Sequence, residues 1–417
     1  MNLLFFHLMP YTELPETFRE DHLSIWVDID SRLFDPGRGG AMYNDFLDEL
    51  EEAAALGFDG VCINEHHSNG YGMMPSPNLM ASILAKNTAN AAICVMGNSA
   101  ALYDPPLRVA EEMAMIDCIS GGRLIAGLPL GTPMDTCFAY GQNPSMLRDR
   151  YLEACELIKR AWTESQPFPF NGRFYKHRYV NIWPRPVQSP RPPIWVPGGG
   201  APETWRMCGE QGYVYAALSY FGYETARGVL HGYWEEITRQ GGERNPFQAG
   251  YLQLVGVAET RQEALYLYRE PAEYFYDKCL HTNPRFAVPP GYATESAVRF
   301  RAGQRNAGNP VAQFTTTPTF EQILDRGYVV LGSPDKVAER LRGIAESLNV
   351  GQLMLLAHFG NMDRELTRYN MRLLAERVAP QLRDLFSDRW PDHWWPPNAR
   401  LAPEVGGTGP RGPTVSA

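Results

Sequence analysis

The chain has 417 residues, 44% hydrophobic and 20% charged, with a formal net charge of −9. That length exceeds one small core and allows either a barrel with insertions or two domains. An acidic chain without a run of five Lys/Arg argues against a nucleic-acid-binding face, and no apolar stretch is long enough to span a bilayer. The seven cysteines are scattered, with no CxxC pair, as expected for reduced thiols in a soluble cytoplasmic protein.

Residues 3–9 read as a first strand and not as a signal peptide, since no basic segment precedes them. A Pro/Gly-bearing loop over 10–40 leads to a helix at 41–56 with apolar residues spaced by three and four. A strand at 60–64 and a helix at 77–90 follow, the latter opened by Ser76 and Pro77. The alternation continues with strands at 92–98 and 123–128 and helices at 106–120 and 145–164. Residues 165–192 are Pro- and aromatic-rich, with 174–183 a small excursion outside the repeat. Strands at 193–196, 212–218 and 250–258 alternate with helices at 202–211, 224–240 and from 261. Regularity fails over about 271–322, a stretch expected to be an insertion or lid. A helix at 333–348, a strand at 351–357 and a helix over 363–385 complete the rhythm. Eight β/α units predict a closed (β/α)8 TIM barrel over 1–387, an open doubly wound sheet being the alternative. Residues 388–417 read as a Trp/Pro-rich extension whose tryptophans anchor it to the barrel, ending in a disordered tail.

Three strand ends carry the chemistry. Glu65-His66-His67 ends the second strand. Adjacent side chains in extended backbone point apart, so the two histidines do not share a metal, and no second His/Asp/Glu cluster is evident at another strand end; no metal site is expected. His66 is the candidate catalytic group, able to donate or accept a proton near neutrality, while His67 braces the loop. Gly198, Gly199 and Gly200, ahead of the helix at 202, can present backbone N–H groups to a phosphate or form an ordinary βα turn. Gly97-Asn98 at the end of the third strand leave room for a flat ring system or simply end the strand. His7, Met9 and Tyr103 are candidate substrate-pocket walls or packing residues, and Tyr, Phe, Met and Trp in the loops suggest a partly apolar organic substrate.

The runs GFDGVCINEHHSNGYG, DPPLRVAEEMAMIDCISGGRL, FNGRFYKHRYVNIWPRP and PPIWVPGGGAPETW occur in an order that resembles the bacterial-luciferase-like family of flavin-dependent monooxygenases over about residues 1–380. The resemblance implies a luciferase-like (β/α)8 barrel and reduced FMN (FMNH2) delivered by a separate flavin reductase. It also implies O2 activation as a flavin C4a-peroxide, transfer of one oxygen atom to a small organic substrate, and a homodimer. It puts His66 at the reacting flavin edge and Gly97-Asn98 against the isoalloxazine, near a non-prolyl cis peptide in relatives. It assigns the phosphate to Gly198–Gly200 and a flavin-contacting tyrosine to Tyr151. Two departures stand out: Leu130 where relatives carry an arginine near a glycine, and Leu147 where relatives with the helix tyrosine often carry a histidine. Arg148 or Arg150 could replace the missing cation. An F420-dependent oxidoreductase on the same fold, or a non-catalytic flavin-binding partner subunit, are the competing expectations.

Overall fold

The computed structural model describes residues 1–218, 220–303 and 317–399. Eight parallel strands close into a barrel: β1 (Asn2–Phe6), β2 (Gly60–Ile63), β3 (Ala92–Val95), β4 (Leu124–Gly127), β5 (Ile194–Gly198), β6 (Val214–Ala217), β7 (Ala249–Val257) and β8 (Gln352–Leu356). Each pairs with its chain neighbour, and β8 returns to β1 with Asn2 opposite Gln352, so no edge is left open. All eight coincide with the expected strands. They are legible because strands covered on both faces are almost wholly apolar, as in the fully buried β8 sequence QLMLL.

Helices pack outside the strands, and local chemistry sets their ends. The helix Pro36–Ala55 starts five residues before the expected 41: the Asp35 side chain accepts from the Arg38 amide and Pro36 occupies the first turn. The helix Leu107–Ser120 stops where Gly121 takes a left-handed φ of 69°. The excursion is an antiparallel hairpin, Phe168–Asn171 with Lys176–Val180. Neither hairpin strand was foreseen as a strand, nor was a further one beside the barrel. Val329–Gly332 pairs with the overhanging end of β7, Val329 opposite Leu254.

Within the irregular region, Arg269–Tyr274, Pro284–Ala287 and Glu295–Gly303 are helical and cross the carboxyl end of the barrel; residues 304–316 of the expected lid lie outside the described residues. The extension wraps the opposite end. Trp394 donates from Nε1 to the Gly212 carbonyl at 2.9 Å, Trp395 is buried, and the N-terminal amine donates to the carbonyls of Arg383 and Leu385. The expected disordered tail, the last dozen or so residues, lies outside the described residues, which end at 399. Among the described residues no helix is long and apolar enough to cross a membrane.

Candidate functional site

A cavity of about 450 Å³ opens at the carboxyl ends of the strands, the face on which such barrels carry their chemistry. Asn64, Glu65 and His66 after β2, Met96, Gly97 and Ser99 after β3, and Pro129–Met134 after β4 line one side. Arg148 and Tyr151 from the helix Pro144–Thr163, with Gly198, Gly199 and Thr204, line the far end. Tyr292, Thr294, Ala297 and Phe300 roof it. The roof is clamped by Tyr292, which donates to the Gly131 carbonyl at 2.7 Å, and by Thr294 and Ser296, which both donate to Glu203.

His66 sits at the head of the cavity, buried, with Nδ1 2.7 Å from Oδ2 of Asp135. Asp135 belongs to the π-helical turn Met134–Ala139 and also accepts from Thr132 Oγ1 at 2.8 Å, the His67 amide at 2.9 Å and Asn69 Nδ2 at 3.1 Å. Burial pushes the Asp135 carboxyl up, but the neighbouring His66 and these donors more than offset it and hold its pKa below the usual value. A carboxylate acceptor fixes the proton on His66 Nδ1, and Nε2 makes no hydrogen bond among the described residues. Nothing in the spacing announces Asp135, which lies 69 residues from His66 on a turn without sequence periodicity.

His67 turns the other way, with Nε2 2.9 Å from Glu65 Oε1. Glu65 Oε2 accepts from Tyr103 Oη at 2.7 Å and Asn98 Nδ2 at 3.2 Å. Gly97 lines the cavity, whereas Asn98 stands behind the wall holding Glu65. The Met96–Gly97 peptide is cis. A Cβ on Gly97 would lie 1.9 Å from the Gly127 oxygen, so only glycine permits β3 and β4 to approach here. Tyr151 lines the cavity and donates to the Leu128 carbonyl at 2.7 Å; burial pushes its phenol pKa well up.

Gly198 and Gly199 reach the cavity, and a Cβ on Gly199 would project into open space. Gly200 does not line it, and its amide donates to Tyr215 Oη at 3.0 Å. Beside the two glycines lies Arg148, whose Nε is buried without a partner and whose guanidinium is 3.4 Å from Thr204 Oγ1. Arg150 is spent elsewhere, donating to the Ala101 carbonyl at 2.9 Å. The unpartnered Nε of Arg148, the Cβ-free backbone and the start of the helix Pro202–Gln211 fit the phosphate of a flat, anionic cofactor. Leu130 lines the cavity, while Leu147 is buried behind it.

The three residues expected to form pocket walls lie elsewhere. Tyr103 lines a second cavity of about 160 Å³ beside His67. His7 and Met9 are fully buried behind β1 and outside both cavities. His7 instead forms a cluster that the sequence reading missed: Glu49 Oε2 lies 3.0 Å from His7 Nε2 and 2.8 Å from Nδ1 of His358, which follows β8. A second His/carboxylate cluster at strand ends therefore exists, contrary to expectation. Its hydrogen bonds occupy both nitrogens of His7, whereas Glu49 Oε1 and His358 Nε2 are buried without a partner among the described residues. The Met9 amide donates to His7 Nδ1 at 2.8 Å, which leaves the ring proton on Nε2, directed at Glu49 and not free to ligate. Burial lowers the His7 pKa to about 4. Burial also pushes the Glu49 carboxyl up, but His358 and His7 more than offset it, leaving about 2.

Residues 29–350 match the model of a family described as luciferase-like monooxygenase. The oxygenase component of the flavin-dependent trigonelline monooxygenase of Acinetobacter baylyi is 29% identical over 178 residues, 42% of this chain and 48% of that protein. The chain's matches thus span about half the length of the first relatives compared. An F420-dependent glucose-6-phosphate dehydrogenase of Kineococcus radiotolerans is 25% identical over 371 residues, 87% of this chain and 97% of that one. The fold is shared with the oxygenating constituent of 3,6-diketocamphane monooxygenase from Pseudomonas putida, a type II Baeyer–Villiger monooxygenase solved with FMN. Its TM-score is 0.68 at 20% identity, covering 91% of this chain and 98% of that one.

Proposed function

The chain belongs to the luciferase-like monooxygenase family, and from that premise we propose that it is the oxygenase component of a two-component system. It takes reduced FMN from a separate flavin reductase and transfers one atom of O2 to a small, largely apolar organic molecule. The observation that carries this reading is the pairing of an oriented imidazole, His66 on Asp135, with an anion-binding end at Arg148 of the same cavity.

Arg148, Thr204 and the backbone of Gly198 and Gly199 hold the phosphate, and Arg148 replaces the cation missing at Leu130. Gly97, pressed against Gly127, would give the ring system a flat wall, and Tyr151 lines the same cavity with its hydroxyl held by the Leu128 carbonyl. When bound, reduced FMN supplies the two electrons that activate O2. With Nδ1 tied to Asp135, His66 holds or takes a proton at Nε2, facing the reacting atoms, and its charge there biases the pocket toward hydroxylation or toward oxygen insertion beside a carbonyl. The apolar lining of Leu130, Leu218, Phe221 and Tyr292, under a roof clamped at Glu203, excludes water. The exposed apolar side chains Leu79, Ile83, Met115 and Ile119 on two adjacent helices support a homodimer. Leu79→Glu with Met115→Glu is expected to yield monomers in sedimentation.

The F420-dependent relative supports a second reading, in which the same anion-binding end takes a deazaflavin and the pocket passes hydride. Anaerobic fluorescence titration with reduced FMN and reduced F420 separates the two. Micromolar binding of FMN with much weaker F420 binding is expected; the reverse order overturns the proposal, and binding of neither to better than about millimolar points to a non-catalytic subunit.

A further inference from the structure

Glu65 stands between two cavities. It lines the principal one, and of its four hydrogen-bond partners His67 and Tyr103 line the second, the Ser99 amide (3.4 Å from Oε1) belongs to the wall of the principal one, and Asn98 lines neither. The carboxylate is buried, and among the described residues no lysine or arginine contacts it. The second cavity is also lined by Ser76, Glu112 and Tyr140. Its outer edge meets solvent, because Glu112 pairs at 2.6 Å with Arg108, which is 71% exposed, and Tyr140 is itself exposed. The His66–Asp135 pair does not touch the second cavity: Asp135 lines neither cavity, and among the described residues its oxygens accept hydrogen bonds from Thr132, Asn69, the His67 amide and His66.

We propose that Glu65 and Tyr103 form a proton relay that connects the principal cavity to solvent through the second one, separate from His66. The inference rests on the flavin reading above. The bound dihydroflavin monoanion, O2 and one proton give oxidised flavin and hydrogen peroxide. With a substrate accepting one oxygen atom, the products are oxidised flavin, oxygenated substrate and water. Either way one proton must reach the principal cavity per turnover. Tyr103 Oη–H passes its proton to Glu65 Oε2 as the same oxygen accepts one from water in the second cavity, and rotation about the C–O bond resets it. Glu65 then delivers the proton to the principal cavity. His67 Nε2 on Oε1 and Asn98 Nδ2 on Oε2 keep the carboxylate in place. Burial and the neighbouring Glu65 push the Tyr103 phenol well up, so its hydroxyl serves as a conduit and is not left as a phenolate.

Two readings test this. In the ligand-free protein, the infrared carboxylate band assigned by its loss in Glu65→Gln should shift in Tyr103→Phe, and its deuterium sensitivity should develop within the mixing time in D2O. An unshifted band, or exchange over minutes, overturns the relay. Proteins loaded anaerobically with reduced FMN are then mixed with O2 and a pH indicator. Tyr103→Phe should bind reduced FMN and unfold as wild type does, yet take up its proton and form peroxide about tenfold or more slowly. Added imidazole should restore the rate in Tyr103→Ala. Unchanged proton uptake in Tyr103→Phe, or no rescue, overturns the relay. Failure of wild type to bind reduced FMN overturns the flavin reading instead, and the infrared arm still decides the relay.

Discussion

Two clusters in this barrel use the same parts, imidazole against carboxylate at the ends of parallel strands, and differ in what each leaves open. At His66, Asp135 occupies Nδ1, and Nε2 faces a 450 Å³ cavity. At His7, Met9 occupies Nδ1 and Glu49 occupies Nε2, so both its ring nitrogens are spent, while His358 closes the group from β8 with its Nε2 buried, unpartnered among the described residues and outside both cavities. The first is oriented for exchange with something outside the protein. The second ties β1, β8 and the helix Pro36–Ala55 together where the barrel closes. Access of a ring nitrogen to a cavity, and not the presence of histidine, separates a site from a staple.

The comparison breaks most visibly at Glu49. Glu49→Ala leaves two buried imidazoles without their carboxylate and should cost about 3–5 kcal/mol in denaturant unfolding, with activity per folded molecule unchanged. Lost activity at full stability would make the sealed cluster functional. His66→Ala should do the opposite: O2-dependent turnover falls about 10²-fold or more, while the unfolding midpoint and reduced-FMN affinity stay put. Arg148→Ala should weaken reduced FMN by about 1.5–3 kcal/mol, roughly ten- to a hundredfold, and Arg150→Ala by less than about twofold. Equal effects of the two would remove Arg148 from the phosphate end.

The smallest expected effect concerns pH. His7 has a folded pKa of about 4, below its ordinary 6.5, so between these values the unfolded chain binds the extra proton. Stability should therefore fall as pH drops, by roughly 1–2 kcal/mol between pH 6.5 and 5. Glu49, held near 2, acts in the same direction at lower pH: its contribution is complete above its unfolded value of 4.5 and is lost as pH falls through 2. Urea unfolding of His7→Asn should show a flatter profile over pH 5–6.5 than wild type; an identical slope would assign it to other groups.

Much of this fold is written in local sequence. Runs such as GVCI and QLMLL, apolar on both faces and bounded by glycine or loop residues, announce barrel strands. Val329–Gly332 escaped because it adds a strand outside the eight β/α units and pairs only with the overhang of β7. His66 was legible as part of a strand-end triplet. Asp135 was not, because its partner is distant in the chain and its π-helical turn carries no period. His7 misled for a related reason. It lies one residue beyond β1, and the direction in which its ring turns, toward Glu49 and not the barrel mouth, is decided by a helix more than forty residues away.

Oxygen uptake tests the central claim most directly. Purified protein, loaded anaerobically with reduced FMN and then mixed with O2, should consume O2 in a His66-dependent manner and leave oxidised FMN. Stoichiometric hydride transfer from reduced F420 with no O2 consumed would contradict the account.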